Sequence, residues 1–547
     1  MDKINVVGAI EGNRRVHSRL VVRLNGFVEA LVDQVEKRKV WFLTSFSILY
    51  LVITCLLASY KLLWNDELYT FYISRLSSIS EIWSVLLTGA EQLPPVFYVI
   101  TRASLALFGA NELAIRLPEV IGFWVMGLCL FRFVSKRTSA LYGFLAMLFP
   151  LVTGAYYYAS EARPYGLVLG FSGLALVCWQ ATTERDGRLL SLAGLAVSLA
   201  AAVSCHYYAV FVFMPLACAE AVRSLSLRRL DLPVWAALSL GVTPLLGFLP
   251  LIQRAMGYSS TFWSKSRWMS IPEFYTSLLA PAVLPLMTMV VLSAVSPATV
   301  SSHRRGGKHH STLPLHEMVA AFGFMAIPMV AVTMSMLITG SFTDRYALPA
   351  VIGCSVIIAC AARSLSYDRP AIAALLALSL CGFFLSLGGK SLKKSVAVRE
   401  AQTQTIEFLR SEGMSDLLIA VSDQHEFTSL AHYAPQDIAS RLVYLADPGK
   451  ALRYLGHNSV EKGALALLQP WFGLKVEDYA RFVATKQQFL VYGKTDHILN
   501  WLFSELSAAS LCVELRGRNN DALLFLASQK KRCSTGSVSN PGLPPPL

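Results

Sequence analysis

Residues 41–67, WFLTSFSILYLVITCLLASYKLLWNDE, decide how this chain has to fold. The first 23 of them are predominantly apolar, which is enough to cross the hydrocarbon core of a bilayer as one helix. Two carboxylates, Asp66 and Glu67, follow at the point where such a helix would leave the membrane. Ionisable groups at membrane depth are usually functional, so this stretch predicts both a membrane fold and the location of a site.

The composition of the chain favours a membrane protein with many spans. Of its 547 residues, 54% are hydrophobic and only 15% are charged, and its mean hydropathy is +0.50. The formal net charge of +13 is also typical of nucleic-acid-binding proteins, but the basic residues lie in short clusters between apolar runs. We therefore expect no nucleic-acid partner and interpret these clusters as topology signals.

The amino-terminal 40 residues are polar and basic and lack the apolar core and cleavage site of a signal peptide. The run 41–63 is therefore expected to be retained as the first span. Most of the 10 cysteines lie inside apolar runs without a Cys-x-x-Cys pair, which argues against a zinc site or a disulfide framework. Pairing of Cys512 with Cys533 stays open.

Eleven segments are long and apolar enough to be predicted as spans. They are 41–63, 113–134, 139–159, 164–182, 189–205, 207–222, 232–253, 274–297, 318–341, 346–362 and 371–389. A twelfth candidate, Pro94–Gly109, has only 16 residues and contains Arg102. Burial of this arginine at mid-bilayer would cost about 2.5 to 3.5 kcal/mol.

The distribution of lysine and arginine indicates whether the twelfth segment spans. If it does not, the loops predicted to be cytoplasmic hold 21 basic residues and the external loops hold 8; if it does, 13 of the 21 move outside. Basic residues are retained in short cytoplasmic loops. We therefore predict that 94–109 is an interfacial or re-entrant helix on the outer face, with the amino terminus inside and residues after Gly389 outside.

Four regions follow from this topology. They are a basic cytoplasmic segment (1–40), an all-α polytopic membrane domain of about 11 transmembrane helices with juxtamembrane helices in the first external loop (41–389), a small α/β extracytoplasmic domain (390–533) and a disordered tail (534–547). The α/β assignment rests on short apolar strand-like runs that alternate with helical patterns. The tail is rich in Ser, Gly and Pro.

The outer loops of this topology collect carboxylates, cations and aromatic side chains on one face of the membrane. The candidate catalytic residues are Asp66, Glu67 and Glu161, and the candidate substrate-binding residues are Tyr69, Glu91, Arg163, Tyr165, His206, Tyr207, Lys265, Arg267, Arg345 and Tyr346. A carboxylate can take the proton of an acceptor hydroxyl while arginine or lysine neutralises a departing phosphate. The set therefore suits transfer of a sugar from a polyprenyl-phosphate donor, which reaches the site from the membrane plane.

Simpler roles stay open for several of these residues. Asp66 and Glu67 could form only the acidic first turn of a helix, or could hold a divalent cation as adjacent acids. His206 could serve only the turn between two short spans, and Arg345 could form only a local ion pair with Asp344. No cofactor is otherwise predicted. The rival functions are a transporter or flippase of lipid-linked saccharides and a non-catalytic membrane subunit that binds through its exported domain.

An ordered set of motifs resembles the C-type membrane glycosyltransferases. The motifs are Trp64-Asn65-Asp66-Glu67, Gln92-Leu93-Pro94-Pro95-Val96-Phe97-Tyr98, Phe108-Gly109-Ala110-Asn111-Glu112, Arg116-Leu117-Pro118, Glu161-Ala162-Arg163-Pro164-Tyr165, His206-Tyr207 and Asp344-Arg345-Tyr346. Over residues 41–390 the chain is most similar to the dolichyl-phosphate-mannose protein mannosyltransferase superfamily. That superfamily includes the bacterial transferases that modify lipopolysaccharide and the lipid A aminoarabinose transferases, in glycosyltransferase families 39 and 83.

The resemblance implies a multi-pass transferase that moves a hexose or pentose, with inversion, from a polyprenyl phosphate to a lipid, glycan or protein acceptor outside the membrane. It implies that Asp66 is the catalytic acidic residue of the first external loop, acting as a base or orienting the acceptor, and that Glu161 and Arg163 occupy the acidic motif of the second. It also places Arg345 near the lipid phosphate. The lack of an endoplasmic-reticulum retrieval tail favours a bacterial inner membrane.

One position departs from the family pattern. Many members carry a basic residue just before the paired prolines, where it can touch the donor phosphate, and this chain has Leu93 there. Phosphate binding then falls to one or more of Arg163, His206, Lys265, Arg267 and Arg345.

Overall fold

The computed structural model describes residues 33–184, 186–295, 313–365, 370–412, 414, 416–494, 500–508 and 511–529. The predictions for most of the segment 1–40, for Cys533 and for the tail 534–547 fall outside these residues. The described chain forms an apolar helical bundle followed by a small α/β domain, which confirms the predicted fold class.

The bundle contains eighteen labelled helices in the described residues. They are α1 (Lys39–Tyr60), α2 (Asn65–Ser74), α3 (Ile79–Leu86), α4 (Pro95–Phe108), α5 (Glu112–Ser135), α6 (Ala140–Leu148), α7 (Tyr165–Ala181), α8 (Arg188–Cys205), α9 (Phe213–Leu227), α10 (Leu232–Val242), α11 (Pro244–Gly247), α12 (Leu249–Met256), α13 (Ser270–Leu279), α14 (Val283–Val295), α15 (Leu315–Met325), α16 (Ile327–Met334), α17 (Ala350–Leu365) and α18 (Pro370–Glu412). Short 3-10 segments occur between them, including Gly154–Ser160, Tyr207–Val212 and Asp344–Ala347.

The helices lie where the apolar runs predict spans. By length and composition, six of the described helices could cross a membrane, or up to nine if each of three bent pairs is one span. Each of these nine coincides with a predicted span, and the shorter apolar helices α7 and α17 coincide with the other two. The positions of the eleven apolar segments therefore agree with helices of the bundle.

The twelfth candidate segment folds as helix α4 with the expected boundaries. Pro95 stands in its first turn, and Gly109 ends it with a φ of 84°, a left-handed value that favours glycine. Arg102 donates hydrogen bonds to the carbonyl oxygens of Leu76 and Ser77, in the turn between α2 and α3. The arginine of this helix is thus bound by protein groups, while the location of α4 relative to the bilayer stays a prediction.

Helices α5 and α7 approach each other closely because glycines line their contact. A Cβ added at Gly166 would lie 2.4 Å from the carbonyl oxygen of Glu119, and one added at Gly170 would lie 2.5 Å from that of Gly122. Small residues allow this backbone approach in apolar helix pairs. The contact holds the start of α7, and with it the preceding turn 161–164, against α5.

Helix α18 connects the bundle to the carboxyl-terminal domain without a break. Its 43 residues correspond to about 65 Å, roughly twice the thickness of a bilayer core. The predicted domain boundary at residue 390 lies inside this helix. Beyond it, Arg399 donates to the carbonyl oxygens of Ser59 and Tyr60 and pairs with Glu112 at 3.0 Å, which ties α18 to the end of α1.

The carboxyl-terminal domain is built on a six-stranded mixed sheet of order β3-β2-β1-β4-β6-β5. Strands β1 to β4 run parallel to one another, and β6 runs antiparallel to both of its neighbours, β4 and β5. Its elements are β1 (Ile419–Val421), α19 (Gln424–Tyr433), α20 (Gln436–Ala439), β2 (Leu442–Ala446), α21 (Pro448–Leu455), α22 (Ser459–Leu467), β3 (Val476–Asp478), α23 (Tyr479–Thr485), β4 (Gln488–Lys494), α24 (Trp501–Ala508), β5 (Leu511–Asn519) and β6 (Ala522–Gln529). Burial on both faces explains the continuous apolar runs of β2 and β4.

Candidate active site

Helix α2 begins at the Trp64-Asn65-Asp66-Glu67 motif and presents the two acids in different directions. Both acids stand in the first turn, where negative charge is favoured by the helix dipole. The Glu67 carboxylate accepts from the backbone N–H of Trp64 at 3.3 Å and turns into the protein, where it is fully buried. The Asp66 side chain keeps about 21% exposure and lines a cavity.

Every oxygen of Glu67 has a partner inside the protein. Arg116 on α5 donates from Nε to Oε1 at 2.7 Å and from Nη2 to Oε2 at 2.6 Å. The backbone N–H of Ala162 donates to Oε1 at 2.7 Å. Arg116 is also fully buried and donates to three carbonyl oxygens at the end of α1 and just after it, those of Ala58, Lys61 and Leu62. Glu67 therefore joins α2, α5 and the turn before α7, and it does not line the cavity.

Asp66 forms an ion pair with an arginine that lies far from it in the sequence. Nη1 of Arg345 donates to Oδ2 of Asp66 at 3.0 Å across 279 residues of sequence. The guanidinium also lies over the ring of Tyr165, 6.0 Å from its centroid. Arg345 is thus held by Asp66 and by an aromatic face, in addition to its position beside Asp344.

A second buried ion pair lies beside Asp66. Nη2 of Arg163 donates to Oε1 of Glu91 at 3.1 Å, and both side chains are only 8% exposed. Nη1 of Arg163 also donates to the backbone oxygen of Asp66 at 3.4 Å. The Glu161-Ala162-Arg163-Pro164-Tyr165 motif therefore brings a cation directly against the first turn of α2.

His206 shapes an aromatic wall of the same cavity. Its Nδ1 accepts a hydrogen bond from the backbone N–H of Tyr208 at 3.1 Å, which caps the 3-10 segment that follows. Its ring lies 5.5 Å from that of Tyr165 and 5.2 Å from that of Tyr346, and Tyr208 stacks on Tyr346 at 4.3 Å. His206 therefore both caps the turn between the two spans and lines the cavity.

These groups surround one cavity of about 340 Å³. Of the residues selected from the sequence, the cavity is lined by Asp66, Tyr69, Glu91, Arg163, Tyr165, His206, Tyr207, Arg345 and Tyr346. Apolar side chains from α12 and the residues after it, together with Ile338, complete the wall on the bundle side. The structure thus brings together nine of the thirteen candidates from loops that are far apart in sequence.

Glu161 lies behind the cavity wall. Its side chain is about 1% exposed, and neither carboxylate oxygen has a hydrogen-bond partner of acceptable geometry among the described residues. Lys61 lies nearby, with Nζ 3.4 Å from the carbonyl oxygen of Ser160 and 4.1 Å from the centroid of the Tyr157 ring. Burial raises the pKa of Glu161 to about 7, against the lowering effect of Lys61.

Lys265 and Arg267 do not line the cavity. Nζ of Lys265 donates to the carbonyl oxygen of Ser260 at 2.7 Å, and its backbone forms an isolated bridge with Ser341. Arg267 is 68% exposed and pairs with Glu273 at 2.9 Å. Of the five groups considered for phosphate binding, the structure places Arg163, His206 and Arg345 in the cavity.

The protonation states follow from burial and from the two arginines. Burial favours a raised pKa for Asp66, but Arg345 and Arg163 outweigh it and hold the pKa below its ordinary value. Burial and the same two cations lower the pKa of His206 to about 3. At neutral pH the cavity therefore contains an aspartate anion and an uncharged imidazole.

Sequence reasoning missed the part of the site that comes from the carboxyl-terminal domain. Residues Gln424, His425, Ser459, Val460 and Gly463 line the cavity opposite the bundle. Sequence reasoning also gave Arg116 no role beyond its motif, although it is the partner of Glu67. An arginine buried in an apolar helix is usually paired with a carboxylate, so the position of Arg116 in an apolar run could have predicted an acidic partner.

Metal binding was one open role of the acids. No group of three or more His, Cys, Asp or Glu side chains in the described ranges is arranged to hold a metal ion.

Comparison with known proteins agrees with the resemblance inferred from the motifs. The sequence profile of the family described as dolichyl-phosphate-mannose-protein mannosyltransferase matches residues 92–253. This range contains Glu161, Arg163 and His206. A search of curated protein sequences found no match.

Solved structures share the fold of the chain. ArnT from Cupriavidus metallidurans in the apo state superposes with a TM-score of 0.56 at 14% identity, covering 88% of this chain and 98% of that one. Its structure bound to undecaprenyl phosphate superposes equally well, with a TM-score of 0.56 at 13% identity, covering 89% and 98%. An apo oligosaccharyltransferase from Archaeoglobus fulgidus reaches a TM-score of only 0.40 at 13% identity, covering 84% and 70%. At these identities the likeness to ArnT concerns the fold.

Proposed function

We propose that this protein is a membrane glycosyltransferase that moves a sugar from a polyprenyl-phosphate donor to an acceptor hydroxyl on the extracytoplasmic face. The observation that carries the proposal is the cavity in which one ionised carboxylate, Asp66, lies beside two arginines, Arg163 and Arg345. The apolar helices around it give a lipid carrier access from the bilayer, and the ArnT structure with undecaprenyl phosphate supports a donor of this class.

The two arginines are suited to the phosphate of the donor. A bound phosphate would compete with Asp66 for Arg345, because both anions accept from the same guanidinium. Arg163 is already paired with Glu91 and adds a second positive group beside the first turn of α2. Charge that develops on the departing phosphate is therefore neutralised by groups that are in place before the reaction.

Asp66 serves as the base in this proposal. The acceptor oxygen forms a bond to the anomeric carbon and gives its proton to Asp66, while the bond from that carbon to the phosphate oxygen breaks and the phosphate keeps the electron pair. This single displacement inverts the anomeric centre. Glu67 is less suited to the role, because its oxygens are occupied by Arg116 and Ala162.

The location outside the cytosol is inferred from the distribution of basic residues among the loops. Basic residues predominate in the loops that this topology assigns to the cytosol, which is the distribution expected because short loops rich in Lys and Arg stay on the cytoplasmic side. A bacterial inner membrane, with lipopolysaccharide, another lipid, a glycan or a protein as acceptor, fits these features.

The test uses purified protein in lipid nanodiscs with a radiolabelled polyprenyl-phosphate sugar and a cell-envelope extract as the source of acceptor. We expect the label to move to the acceptor and free polyprenyl phosphate to appear, and we expect the Asp66→Asn variant to do neither. Movement of intact labelled donor across the bilayer of proteoliposomes, without its consumption, would instead identify a flippase.

A further inference from the structure

The walls of the cavity differ in charge. All the Asp, Glu, Lys and Arg side chains that line it, namely Asp66, Glu91, Arg163 and Arg345, belong to the bundle. The carboxyl-terminal domain contributes Gln424, His425, Ser459, Val460 and Gly463, with no acid, lysine or arginine among them. One half of the cavity thus contains two arginines paired with two acids, and the other half contains an amide, an imidazole and a hydroxyl.

The uncharged half lies at the edge where α/β sheets bind ligands. Strands β1 and β2 are parallel, and the chain leaves their carboxyl ends toward α19 and, through α21, toward α22. The amino-terminal residues of both helices line the cavity. In open sheets of this kind, ligands bind outside the carboxyl ends of the strands. The carboxyl edge of β1 and β2, where sheets of this kind bind ligands, therefore lies on the side of the domain that faces Asp66.

Hydrogen-bonding groups on this edge are not all used by the protein. The Oγ of Ser459, at the start of α22, is buried and has no hydrogen-bond partner in the described ranges. A buried polar atom without a partner is costly, so a ligand that supplies a hydroxyl group would satisfy the Ser459 Oγ, which belongs to a residue of the cavity lining.

The same domain holds the helix that carries Asp66. Thr428 on α19 donates to Oδ1 of Asn65 at 3.0 Å, and Nε2 of Gln424 donates to the hydroxyl of Tyr69 at 2.5 Å. These contacts flank Asp66 on both sides along α2. A molecule bound by the carboxyl-terminal domain is therefore held at a defined position relative to the base.

We propose that the carboxyl edge of the β1–β2 pair is the acceptor subsite and that it binds an uncharged saccharide, presenting one hydroxyl to Asp66. This inference rests on the proposed function and adds the class of acceptor. Phosphate of the donor occupies the arginine half, the acceptor sugar occupies the half formed by α19 and α22, and Asp66 lies between them. The acceptor proton passes to Asp66 as its oxygen bonds the anomeric carbon and the phosphate departs with the electron pair.

The first arm of the test identifies the linkage. Envelopes of cells that express the wild-type protein or the Asp66→Asn variant are compared by mass spectrometry and linkage analysis. We expect one sugar to be present only in envelopes of cells with the wild-type protein, and we expect it to be attached to a hydroxyl of another carbohydrate. Attachment to a phosphate group or to a protein side chain would overturn the inference while leaving the proposed function intact. Absence of any transferred sugar would overturn both.

The second arm locates the subsite with the acceptor identified in the first. A Cβ at Gly463 would lie 4.0 Å from the hydroxyl of Tyr69, so Gly463→Leu extends its side chain into the space between α22 and α2. We expect the KM for the acceptor to rise about tenfold, with the KM for the donor unchanged. Thermal stabilisation by undecaprenyl phosphate should also be retained. Val460→Phe provides a second substitution from the same wall.

Leu465→Phe is the matched control, because Leu465 stands on the same helix but is 43% exposed and does not line the cavity. We expect both KM values of this variant to equal those of the wild type. If the two cavity variants fold, bind undecaprenyl phosphate and keep the wild-type KM for the acceptor, the subsite is elsewhere. A rise in the KM for the donor alone would likewise overturn the assignment.

Discussion

Two amide substitutions at adjacent positions, Asp66→Asn and Glu67→Gln, should affect different properties, the first catalytic turnover and the second the stability of the fold. Each replaces a carboxylate by an amide of nearly the same shape. Asp66 is partly exposed and makes one ion pair, whereas Glu67 is fully buried and accepts from Arg116 and Ala162. We therefore expect the first variant to lose activity and the second to lose stability.

The magnitudes follow from these contacts. A partly exposed ion pair contributes about 0 to 1 kcal/mol, so Asp66→Asn should change the free energy of unfolding little. Loss of a general base lowers turnover by about 10²- to 10⁴-fold. Breaking the pair between Glu67 and Arg116 leaves a buried guanidinium without its counter-charge, which costs about 3 to 5 kcal/mol.

The assay measures both quantities on the same purified samples. Thermal unfolding in one detergent gives relative stability, and consumption of a radiolabelled polyprenyl-phosphate sugar gives turnover. At a temperature where Glu67→Gln is still folded, its turnover should lie within about tenfold of the wild type. The reasoning is refuted if Asp66→Asn keeps more than about a tenth of wild-type turnover, or if Glu67→Gln unfolds at the wild-type temperature.

Three further predictions test other parts of the site. Arg345→Gln removes a charge that lowers the pKa of Asp66, so that pKa should rise and the acidic limb of the pH profile of kcat/KM should move to higher pH. Burial raises the pKa of Glu161 to about 7; the folded state then keeps a proton that the unfolded state loses, so wild-type stability should fall by roughly 3 kcal/mol as the pH rises from about 4.5 to 7. Glu161→Gln should remove that slope in unfolding measured against pH. Thr428→Val breaks the bond to Asn65 and should cost about 0.5 to 1.5 kcal/mol in thermal unfolding and reduce turnover, with Thr428→Ser restoring both.

Each of these predictions has a result that contradicts it. Arg410→Gln, in an exposed pair with Asp437, is the control for the pH profile, and a shift as large as that of Arg345→Gln would show a general effect of charge. Equal pH slopes for the wild type and Glu161→Gln would mean that another group titrates. Unchanged turnover in Thr428→Val would show that the bond to Asn65 does not position α2.

Much of the fold was accessible from local pattern. Apolar run length located the spans, and the helix α4 has the boundaries that Pro95 and Gly109 suggested. Transfer of an apolar segment into a bilayer depends on that segment alone, so its sequence is sufficient. The bends that break three of the spans were not predicted, because they depend on how neighbouring helices pack.

The candidate site was accessible in part for the same reason. Alternate loops of a polytopic protein share one side of the membrane, so the predicted sidedness alone assigned Asp66, Arg163 and His206 to the same face. It did not separate them from Lys265 and Arg267, which lie on that face but outside the cavity. The distance between two loops on the same face is set by how the helices pack, and the sequence of a loop does not determine that packing.

The sequence therefore specified a polytopic membrane protein with an acid at the end of its first apolar helix, since hydrophobicity and charge act segment by segment. It did not specify which acid faces the cavity. That choice comes from Arg116, which binds Glu67, and from Arg345, which meets Asp66 across 279 residues. Ion pairing depends on the distance between side chains in the folded molecule, so partners this far apart in sequence are determined only when the helices and the carboxyl-terminal domain have assembled.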